Sequence, residues 1–265
     1  MRLMEAKRGT SPYFRCKVCE APRTKAPTNK DYPRNNIIVG LASALHYLHF
    51  ASPFDKKSIL HRDSKPSNVM LNDVYEAKLG DFGLMRPVDL DRPSKTVTHG
   101  GTHAYIEPEY FKTGNPSRES DVYSFGILML QLVFGELPTI IINDGKQLTN
   151  QLAEKAWGLY FRNELLDAVD AKLKVDGPTF TRNKAQIERV MLVGLYCVHP
   201  DRSMRPSSSR VMAYLKDREI QIPAPASVTA AGAPSDTTGN NNNGQASFSS
   251  SSATTTKTYN RSVTS

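Results

Sequence analysis

Two short segments of the chain hold residue types that could carry out chemistry. Residues 61–68 read His-Arg-Asp-Ser-Lys-Pro-Ser-Asn, and residues 81–83 read Asp-Phe-Gly. Asn68 and Asp81 provide hard oxygen donors, which are the ligands that Mg²⁺ prefers. The spacing of the two segments therefore indicates a divalent-cation site, provided that the residues between them fold back.

The first segment also offers a base and a cation. Asp63 could accept or orient the proton of an attacking hydroxyl group. Lys65 could lie against a transferred phosphate and neutralise its charge. Phosphoryl transfer from ATP needs little covalent help from a protein but much positioning of charge, so these residues suit that reaction.

The sequence between the two segments predicts the element that brings them together. Val69 to Leu71 and Ala77 to Leu79 are short apolar runs that flank Asn72 and Asp73. Two such runs around a turn are typical of a β-hairpin. We expect this hairpin to carry Asn68 and Asp81 toward each other.

The rest of the foldable part has a helical pattern. Apolar residues at helical spacing predict a helix from Ile37 to about Phe50. Ser117 is a plausible N-cap of a central helix that runs through Val133 and stops at Gly135. Further helices are predicted over Leu148 to Tyr160, around Ile187 to Leu195 and around Val211 to Leu215. The expected core is a mainly α lobe with one small β-hairpin at its edge.

Both ends of the chain have compositions that disfavour a packed core. Residues 1–36 carry four prolines and no apolar periodicity, and residues 223–265 consist almost entirely of Ser, Thr, Asn, Ala, Gly and Pro. Such segments cannot offset the entropy lost on ordering. We therefore predict a disordered basic leader over 1–36, a folded domain over 37–222 and a disordered tail over 223–265.

Charge and hydropathy exclude several classes of function. The net charge is +8, but residues 1–36 alone hold nine Lys/Arg against three Asp/Glu, so the remainder is nearly balanced and a nucleic-acid surface is not expected. The longest apolar run, residues 125–135, is too short to span a bilayer. With no signal peptide and three cysteines, the chain by itself is expected in the cytoplasm.

Residues 61–68 and 81–83, in this order, resemble the C-terminal lobe of a eukaryotic protein kinase. Residues 101–102 (Gly-Thr) and 105–109 (Tyr-Ile-Glu-Pro-Glu) are similar to the end of an activation segment, and residues 121–126 are similar to the start of the central lobe helix. The resemblance implies the α+β kinase fold, of which this lobe is the mainly α part. It also implies ATP, Mg²⁺ and a protein substrate.

More narrowly, four stretches resemble plant receptor-like kinases, and within them the L-type lectin receptor kinases. The stretches are residues 36–49, 65–83, 119–126 and 193–206, and the resemblance covers about residues 36–222. It implies a parent receptor in the plasma membrane with its kinase on the cytoplasmic face. Carbohydrate binding by that parent and association with other receptor kinases are further implications.

The resemblance assigns roles to the chemical residues. Asp63 would be the catalytic base, Lys65 would face the phosphate, and Asn68 and Asp81 would bind Mg²⁺. Lys65 two residues after Asp63, together with Thr102 in the segment that receives the substrate, is similar to serine/threonine kinases rather than tyrosine kinases.

Other motif residues would have structural or regulatory roles. Asp121 would anchor the backbone of the catalytic loop, and Arg205 would form a buried ion pair with Glu109. The remaining motif members are His61, Arg62, Phe82 and Gly83.

Arg62 beside Asp63 implies control by phosphorylation, because a guanidinium group there can pair with a phosphate on the activation loop. The candidate acceptors are Ser94, Thr96 and Thr98.

Three positions depart from the family pattern. Ser64 stands where an apolar residue is usual, Ala104 replaces a usual glycine, and Glu107 replaces the alanine of the usual Ala-Pro-Glu motif. The extra carboxylate of Glu107 could compete with Glu109 for Arg205, or repel Glu109.

Residues 1–265 show no glycine-rich loop and no strand lysine ahead of Asp63, so we expect the small lobe to be absent. Two hypotheses follow. The first is a serine/threonine kinase represented by its catalytic-loop lobe, and the second is a catalytically inactive lobe that acts as an interaction module. The family resemblance favours the first, whereas for the isolated chain we expect the second, because half of the nucleotide cleft would be absent.

Cysteine and histidine residues have plainer interpretations. Cys16 and Cys19 form a lone C-x-x-C, which could be half of a zinc site but lacks a second pair. His46, His49 and His199 are interpreted as core or helix-capping residues rather than as metal ligands.

Overall fold

The computed structural model describes residues 33–51, 58–72, 75–88, 101–142, 148–174 and 177–224. Within these ranges the helices are α1 (Pro33–His46), α2 (Pro108–Thr113), α3 (Arg118–Phe134), α4 (Gln151–Phe161), α5 (Ala171–Lys174), α6 (Gly177–Cys197) and α7 (Ser208–Lys216). The strands are β1 (Ser58–Leu60), β2 (Val69–Leu71), β3 (Ala77–Leu79), β4 (Arg86–Val88), β5 (Ile140–Ile142) and β6 (Leu148–Asn150). They form three antiparallel pairs, β1 with β4, β2 with β3 and β5 with β6.

Helix α3 is the centre of the core, as its nearly uninterrupted apolar sequence predicts. Every residue from Ser120 to Phe134 is buried. Ser117 caps its N-terminus through the backbone N–H of Ser120, and the Ser120 hydroxyl accepts a hydrogen bond in return from the backbone of Ser117. Gly135 ends the helix with φ 70°, a left-handed conformation that glycine adopts without steric cost.

Helices α3 and α6 pack closely where two glycines meet. A Cβ atom on Gly126 would lie 2.6 Å from the Cβ of Cys197 and 2.8 Å from a methyl group of Val198. It would also lie 3.1 Å from the carbonyl oxygen of Gly194. Only a glycine at 126 therefore permits this approach of the two backbones.

Helix α1 begins at Pro33, four residues before the predicted start at Ile37. Arg34, placed in the predicted leader, is buried, and its guanidinium donates a hydrogen bond to the carbonyl of Leu132 at the end of α3. It also lies 3.6 Å from the carboxylate of Asp170. Because these contacts join residues distant in sequence, local composition did not indicate them, and the helix starts four residues before the apolar spacing predicts.

The predicted hairpin is confirmed as β2 and β3, with Val69 opposite Leu79. A further hydrogen bond, 2.8 Å from the N–H of Gly80 to the carbonyl of Asn68, extends the pairing toward the two chemical segments.

Two other strand pairs were not predicted from the sequence. β1 pairs with β4, and β5 pairs with β6, so that Leu148–Asn150 is a strand and α4 starts only at Gln151. Segments of three residues are too short to show a strand periodicity, and β4 and β6 (Arg86–Val88 and Leu148–Asn150) are not apolar runs, which explains both differences. The rest of the prediction, a mostly helical lobe, agrees with the structure.

The helices within the described ranges were also compared with the thickness of a bilayer. None of them combines the length and the hydropathy needed to cross a membrane.

The close contact at Gly126 predicts the effect of a single methyl group. Gly126→Ala should destabilise the fold by about 1–3 kcal/mol, the usual cost of overpacking a core. Gly158→Ala in α4 is the matched control, because its Cβ would meet only the end of the Arg162 side chain at 3.4 Å. Urea unfolding of both variants checks this: Gly158→Ala should be neutral or stabilising, and equal stability of the two variants would contradict the packing account.

Candidate active site

The Asp121 carboxylate holds the loop that carries the chemical residues. Asp121 lies in the first turn of α3 and is buried. Its two oxygens accept hydrogen bonds from the backbone N–H of His61 at 2.7 Å and of Arg62 at 2.8 Å. This is the anchoring contact that the resemblance implies. Arg62 itself has φ 70°, a left-handed conformation that is uncommon for a residue with a side chain.

His49 also contacts the anchoring carboxylate. Its Nε2 lies 3.1 Å from Oδ2 of Asp121, and both side chains are buried. A carboxylate can only accept, so Nε2 of His49 donates. The interpretation of His49 as a core residue omitted this contact, because nothing in the local sequence links residue 49 to residue 121.

His61 connects the catalytic loop to the second chemical segment. Its Nε2 lies 3.1 Å from the carbonyl oxygen of Gly80, and its Nδ1 accepts a hydrogen bond of 3.3 Å from the N–H of Asp63. Its ring also packs edge-on against the ring of Phe82, with the centroids 5.8 Å apart. His61 therefore fixes the two chemical segments relative to each other.

Asp63 is the centre of a polar cluster. Its Oδ1 accepts from the N–H of Thr102 at 2.9 Å and from the Thr102 hydroxyl at 3.0 Å. Its Oδ2 lies 2.9 Å from the Asn68 amide nitrogen and 2.6 Å from Nζ of Lys65. The structure therefore brings four of the predicted site residues together.

The contacts of Asp63 set its charge. Burial alone would raise the pKa of this carboxyl group, but hydrogen bonds from Lys65, Asn68 and Thr102 and the charge of Lys65 outweigh it. The net effect lowers the pKa of Asp63 below its ordinary value of 3.8. Asp63 is therefore a carboxylate at neutral pH, which is the form that can accept a proton.

Asn68 and Asp81 fit a Mg²⁺ ion by their donor chemistry. The amide nitrogen of Asn68 donates both to the backbone carbonyl of Asp63 at 2.8 Å and to its side chain, which leaves Oδ1 as the remaining acceptor. Asp81 is exposed, so its carboxylate is accessible, and its backbone is left-handed with φ 60°. The described residues contain no group of three or more His, Cys, Asp or Glu side chains that could hold a metal ion. Mg²⁺ needs no such cage, since it is commonly bound by one or two protein oxygens with substrate phosphates and water.

Phe82 and Gly83 form a short 3₁₀ turn directly after Asp81, within Phe82–Leu84. Phe82 is about half exposed despite its contact with His61.

Thr102 reaches Asp63 because the chain passes very close to the catalytic loop. Gly101 has φ 118°, and a Cβ atom there would lie 2.7 Å from the carbonyl oxygen of Arg62. Only glycine combines this backbone conformation with this approach. The Thr102 hydroxyl also accepts a hydrogen bond of 2.6 Å from Nζ of Lys65.

Arg62 is buried and extends toward the activation segment. Its guanidinium donates to the Tyr110 hydroxyl and lies 3.4 Å from the carbonyl oxygen of Leu84. The candidate phosphorylation sites Ser94, Thr96 and Thr98 lie outside the described residues, as do Cys16 and Cys19. Pairing of Arg62 with a phosphate on one of the three candidates stays a prediction.

The expected ion pair between Arg205 and Glu109 is wrong. Arg205 pairs instead with Glu107, which is fully buried, whereas the Glu109 side chain is 56% exposed. Glu107 precedes α2 in an extended conformation, and the helix begins at Pro108. This places residue 107 on the inner side of the segment and leaves Glu109 in the first helical turn, facing solvent. Of the two outcomes considered from the sequence, competition for Arg205 is therefore the one observed.

Arg202 completes this ion cluster and was not predicted from the sequence. It donates to both oxygens of Glu107 and lies 3.7 Å from the Glu109 carboxylate. Burial alone would raise the pKa of Glu107, but the two arginines outweigh it and lower the pKa below its ordinary value of 4.5. The sequence does contain two arginines three residues apart and two glutamates two residues apart. This pattern does not by itself indicate which arginine pairs with which glutamate.

Ser64 is buried inside the catalytic loop, and its hydroxyl has no hydrogen-bond partner among the described residues. An unpartnered buried hydroxyl is unfavourable, and it occurs at the position where the family usually has an apolar side chain.

The ion cluster predicts a dependence of stability on pH. A carboxyl group with a lowered pKa in the folded state stabilises the fold above its unfolded pKa, and this contribution is lost as the pH falls through the folded value. Glu107→Gln should cost about 3–5 kcal/mol at neutral pH, since it leaves buried cationic charge unpaired. The difference from the wild type should shrink below pH 4.5.

Glu109→Gln is the matched control for this change and should cost less than about 1 kcal/mol, because its side chain is exposed. Denaturant unfolding between pH 3 and pH 8 measures both variants. A larger loss in Glu109→Gln than in Glu107→Gln would restore the pairing expected from the sequence.

Comparison with known proteins agrees with this geometry. Residues 12–214 match the family model of the protein kinase domain. The match begins at residue 12, within the segment 1–36 that the sequence predicts to be a disordered leader. Residues 33–36 of the same segment are already helical, as part of α1.

The chain is similar to curated plant proteins. It is 40% identical over 201 residues to L-type lectin-domain containing receptor kinase IX.1 of Arabidopsis thaliana, which covers 76% of this chain and 29% of that protein. It is 38% identical over 194 residues to cysteine-rich receptor-like protein kinase 42 of the same plant, covering 73% of this chain and 29% of that protein. A third relative is L-type lectin-domain containing receptor kinase S.7 of Oryza sativa subsp. japonica, 41% identical over 182 residues that cover 69% of this chain and 24% of that protein.

The chain thus spans less than a third of the length of these relatives. The matched domain, the two chemical segments and the shared helical lobe agree with one another. The chain therefore belongs to the protein kinase family and is of the plant receptor-like type, with L-type lectin-domain receptor kinases among its relatives.

Proposed function

We propose that this chain carries the phosphate-transfer residues of a serine/threonine protein kinase, which moves the γ-phosphate of ATP to a protein hydroxyl group. The observation that carries the proposal is the convergence of Lys65, Asn68 and Thr102 on the ionised carboxylate of Asp63. A carboxylate held in this way can accept a hydrogen bond from a substrate hydroxyl and take its proton.

Lys65 would act on the phosphate side of the reaction. Its Nζ lies 2.6 Å from Oδ2 of Asp63 and 2.6 Å from the Thr102 hydroxyl. The cation is therefore held between the base, Asp63, and the segment that would receive the substrate. A fixed positive charge at this place would stabilise the negative charge of a phosphoryl group in transfer. Because it is held in advance, little reorganisation is needed during the reaction.

Asn68 and Asp81 would hold Mg²⁺ through Oδ1 of Asn68 and the exposed carboxylate of Asp81. Bound Mg²⁺ neutralises and orients the phosphates of ATP. His61 supports both ligands, because its contacts with Gly80 and Phe82 fix the segment that carries Asp81 relative to the loop that carries Asn68.

The choice of serine and threonine as acceptors rests on the pattern of Lys65 and Thr102, which both contact Asp63. The names of the relatives further suggest a setting: a kinase region on the cytoplasmic face of a plasma-membrane receptor, with other receptor kinases as partners and carbohydrate binding elsewhere in the parent. Phosphorylation at Ser94, Thr96 or Thr98 would then act through Arg62.

A second candidate is a lobe that binds partners without transferring phosphate. Two large side chains next to the site favour it, since Met70 is 58% exposed and Phe82 is 50% exposed. Exposed apolar side chains beside the catalytic loop would suit docking of another protein. In a kinase with a small lobe, that lobe would cover the same two side chains. Their exposure is therefore compatible with both candidates, and the two differ in whether they transfer phosphate.

A phosphotransfer assay distinguishes the two candidates. The full chain is incubated with Mg²⁺, radiolabelled ATP and a protein substrate, and the labelled amino acids are identified. The kinase proposal predicts label on serine and threonine, and a decrease of about 10²–10⁴-fold in the rate of Asp63→Asn, since this change removes the base.

Asp167→Asn is the control, because Asp167 is also an aspartate but is exposed and far from the cluster in sequence. It should leave the rate unchanged. Absence of transfer by the wild-type chain, or label that persists in Asp63→Asn, would overturn the kinase proposal for this chain and favour the binding lobe.

A further inference from the structure

We propose that Asn150 is a positioning residue that holds Thr102 against Asp63. The inference rests on the proposed function, because it assigns a role to Asn150 at that same site. Asn150 lies 48 positions after Thr102, at the end of β6, and no motif of the sequence indicates it.

The Asn150 side chain makes two different kinds of contact. It is buried, and its Oδ1 caps α4 by accepting from the N–H of Leu152 at 3.1 Å and of Ala153 at 3.4 Å. Its Nδ2 donates a hydrogen bond of 2.7 Å to the carbonyl oxygen of Ala104. One amide group thus joins the start of α4 to the activation segment.

The contact with Ala104 bears on Thr102 because the two residues belong to one tight turn. His103–Tyr105 forms a single 3₁₀ turn whose last N–H donates to the carbonyl of Thr102 at 2.9 Å. This i→i+3 hydrogen bond joins Thr102, Ala104 and Tyr105 in one closed turn, so movement of Ala104 would move Thr102 as well.

The other side of this turn is held by α3. The Tyr105 hydroxyl donates to Oε1 of Gln131 at 2.5 Å, and the Ser124 hydroxyl donates to the carbonyl of Tyr105 at 2.7 Å. Asn150, the N-cap of α4, provides a separate contact, so the turn is held by α3 at Tyr105 and by Asn150 at Ala104. Without the hydrogen bond from Asn150, the turn would rotate about Tyr105, and Thr102 at the other end of the turn would move most.

The consequence reaches the base. Thr102 provides two of the hydrogen bonds that Asp63 accepts, and its hydroxyl also accepts from Lys65. Loss of its fixed position would leave Asp63 and Lys65 less well placed for an incoming substrate hydroxyl. A displacement of this kind lowers turnover more than substrate binding, since it affects the reacting geometry.

The test separates the donor of Asn150 from its capping acceptor. Asn150→Ser keeps a good N-cap but is too short to reach Ala104, and Asn150→Asp also keeps the cap but has no donor. Ser207→Ala is the matched control, because it removes an N-cap, that of α7, without touching the turn. The readout is the hydrogen-exchange rate of the Thr102 amide, measured by NMR on the full chain together with global stability.

We expect the Thr102 amide to exchange about five- to tenfold faster in Asn150→Ser, the effect of losing one buried hydrogen bond. Global stability should fall by about as much as in Ser207→Ala, which also loses one side-chain hydrogen bond, and Asn150→Asp should show the same faster exchange at Thr102 if Asn150→Ser folds poorly. Ser207→Ala should change global stability without a selective change at Thr102. Unchanged exchange at Thr102 in both cap-preserving variants would overturn the inference, as would a change proportional to global stability in all variants.

The exchange measurement does not depend on phosphotransfer. If the wild-type chain transfers no phosphate, the proposed function fails while the Thr102 result still decides whether Asn150 positions the turn. If it does transfer phosphate, Asn150→Ser should lower kcat several-fold with little change in KM. A change confined to KM would overturn the positioning role.

Discussion

The site depends on one buried carboxylate. Asp121 accepts hydrogen bonds from the N–H groups of His61 and Arg62 and from the ring of His49. A buried carboxylate is stable only when its oxygens are satisfied, so Asp121 requires these donors as much as the loop requires Asp121. The left-handed conformation of Arg62 is sustained by this contact, and the direction of Asp63 follows from it.

The carboxylate can serve as an anchor because α3 is rigid. The helix is capped at both ends and buried along its length, and it packs against α6 at Gly126 without room for even one more methyl group. A second buried carboxylate, Glu107, fixes the activation segment to Arg205 and Arg202. Two buried carboxylates therefore hold the catalytic loop and the segment with Thr102 on the same scaffold.

Much of this arrangement could be predicted from local sequence. The hairpin, the N-cap at Ser117 and the stop at Gly135 follow from signals a few residues long, and so does the identity of the chemical loop. The contact of Asp121 with the loop came from family resemblance rather than from spacing.

The failures concern partners that are distant in sequence. Two glutamates separated by one residue look equivalent in the sequence, and the start of α2 at Pro108 decides which of them turns inward. His49 and Asn150 could not be found for a similar reason, since each acts on a residue more than forty positions away. Strands β1 and β4 contain three residues each, and only their mutual pairing makes them strands.

The account is tested most directly by the protection of the loop amides against hydrogen exchange in Asp121→Asn. The amide side chain keeps one acceptor oxygen and cannot accept at both positions, so at least one of the N–H groups of His61 and Arg62 should lose protection while those in the middle of α6 keep theirs. The same change should disturb the NMR signals of Asp63 and Asn68. Unchanged protection of His61 and Arg62 in a folded Asp121→Asn protein would contradict the claim that this carboxylate organises the site.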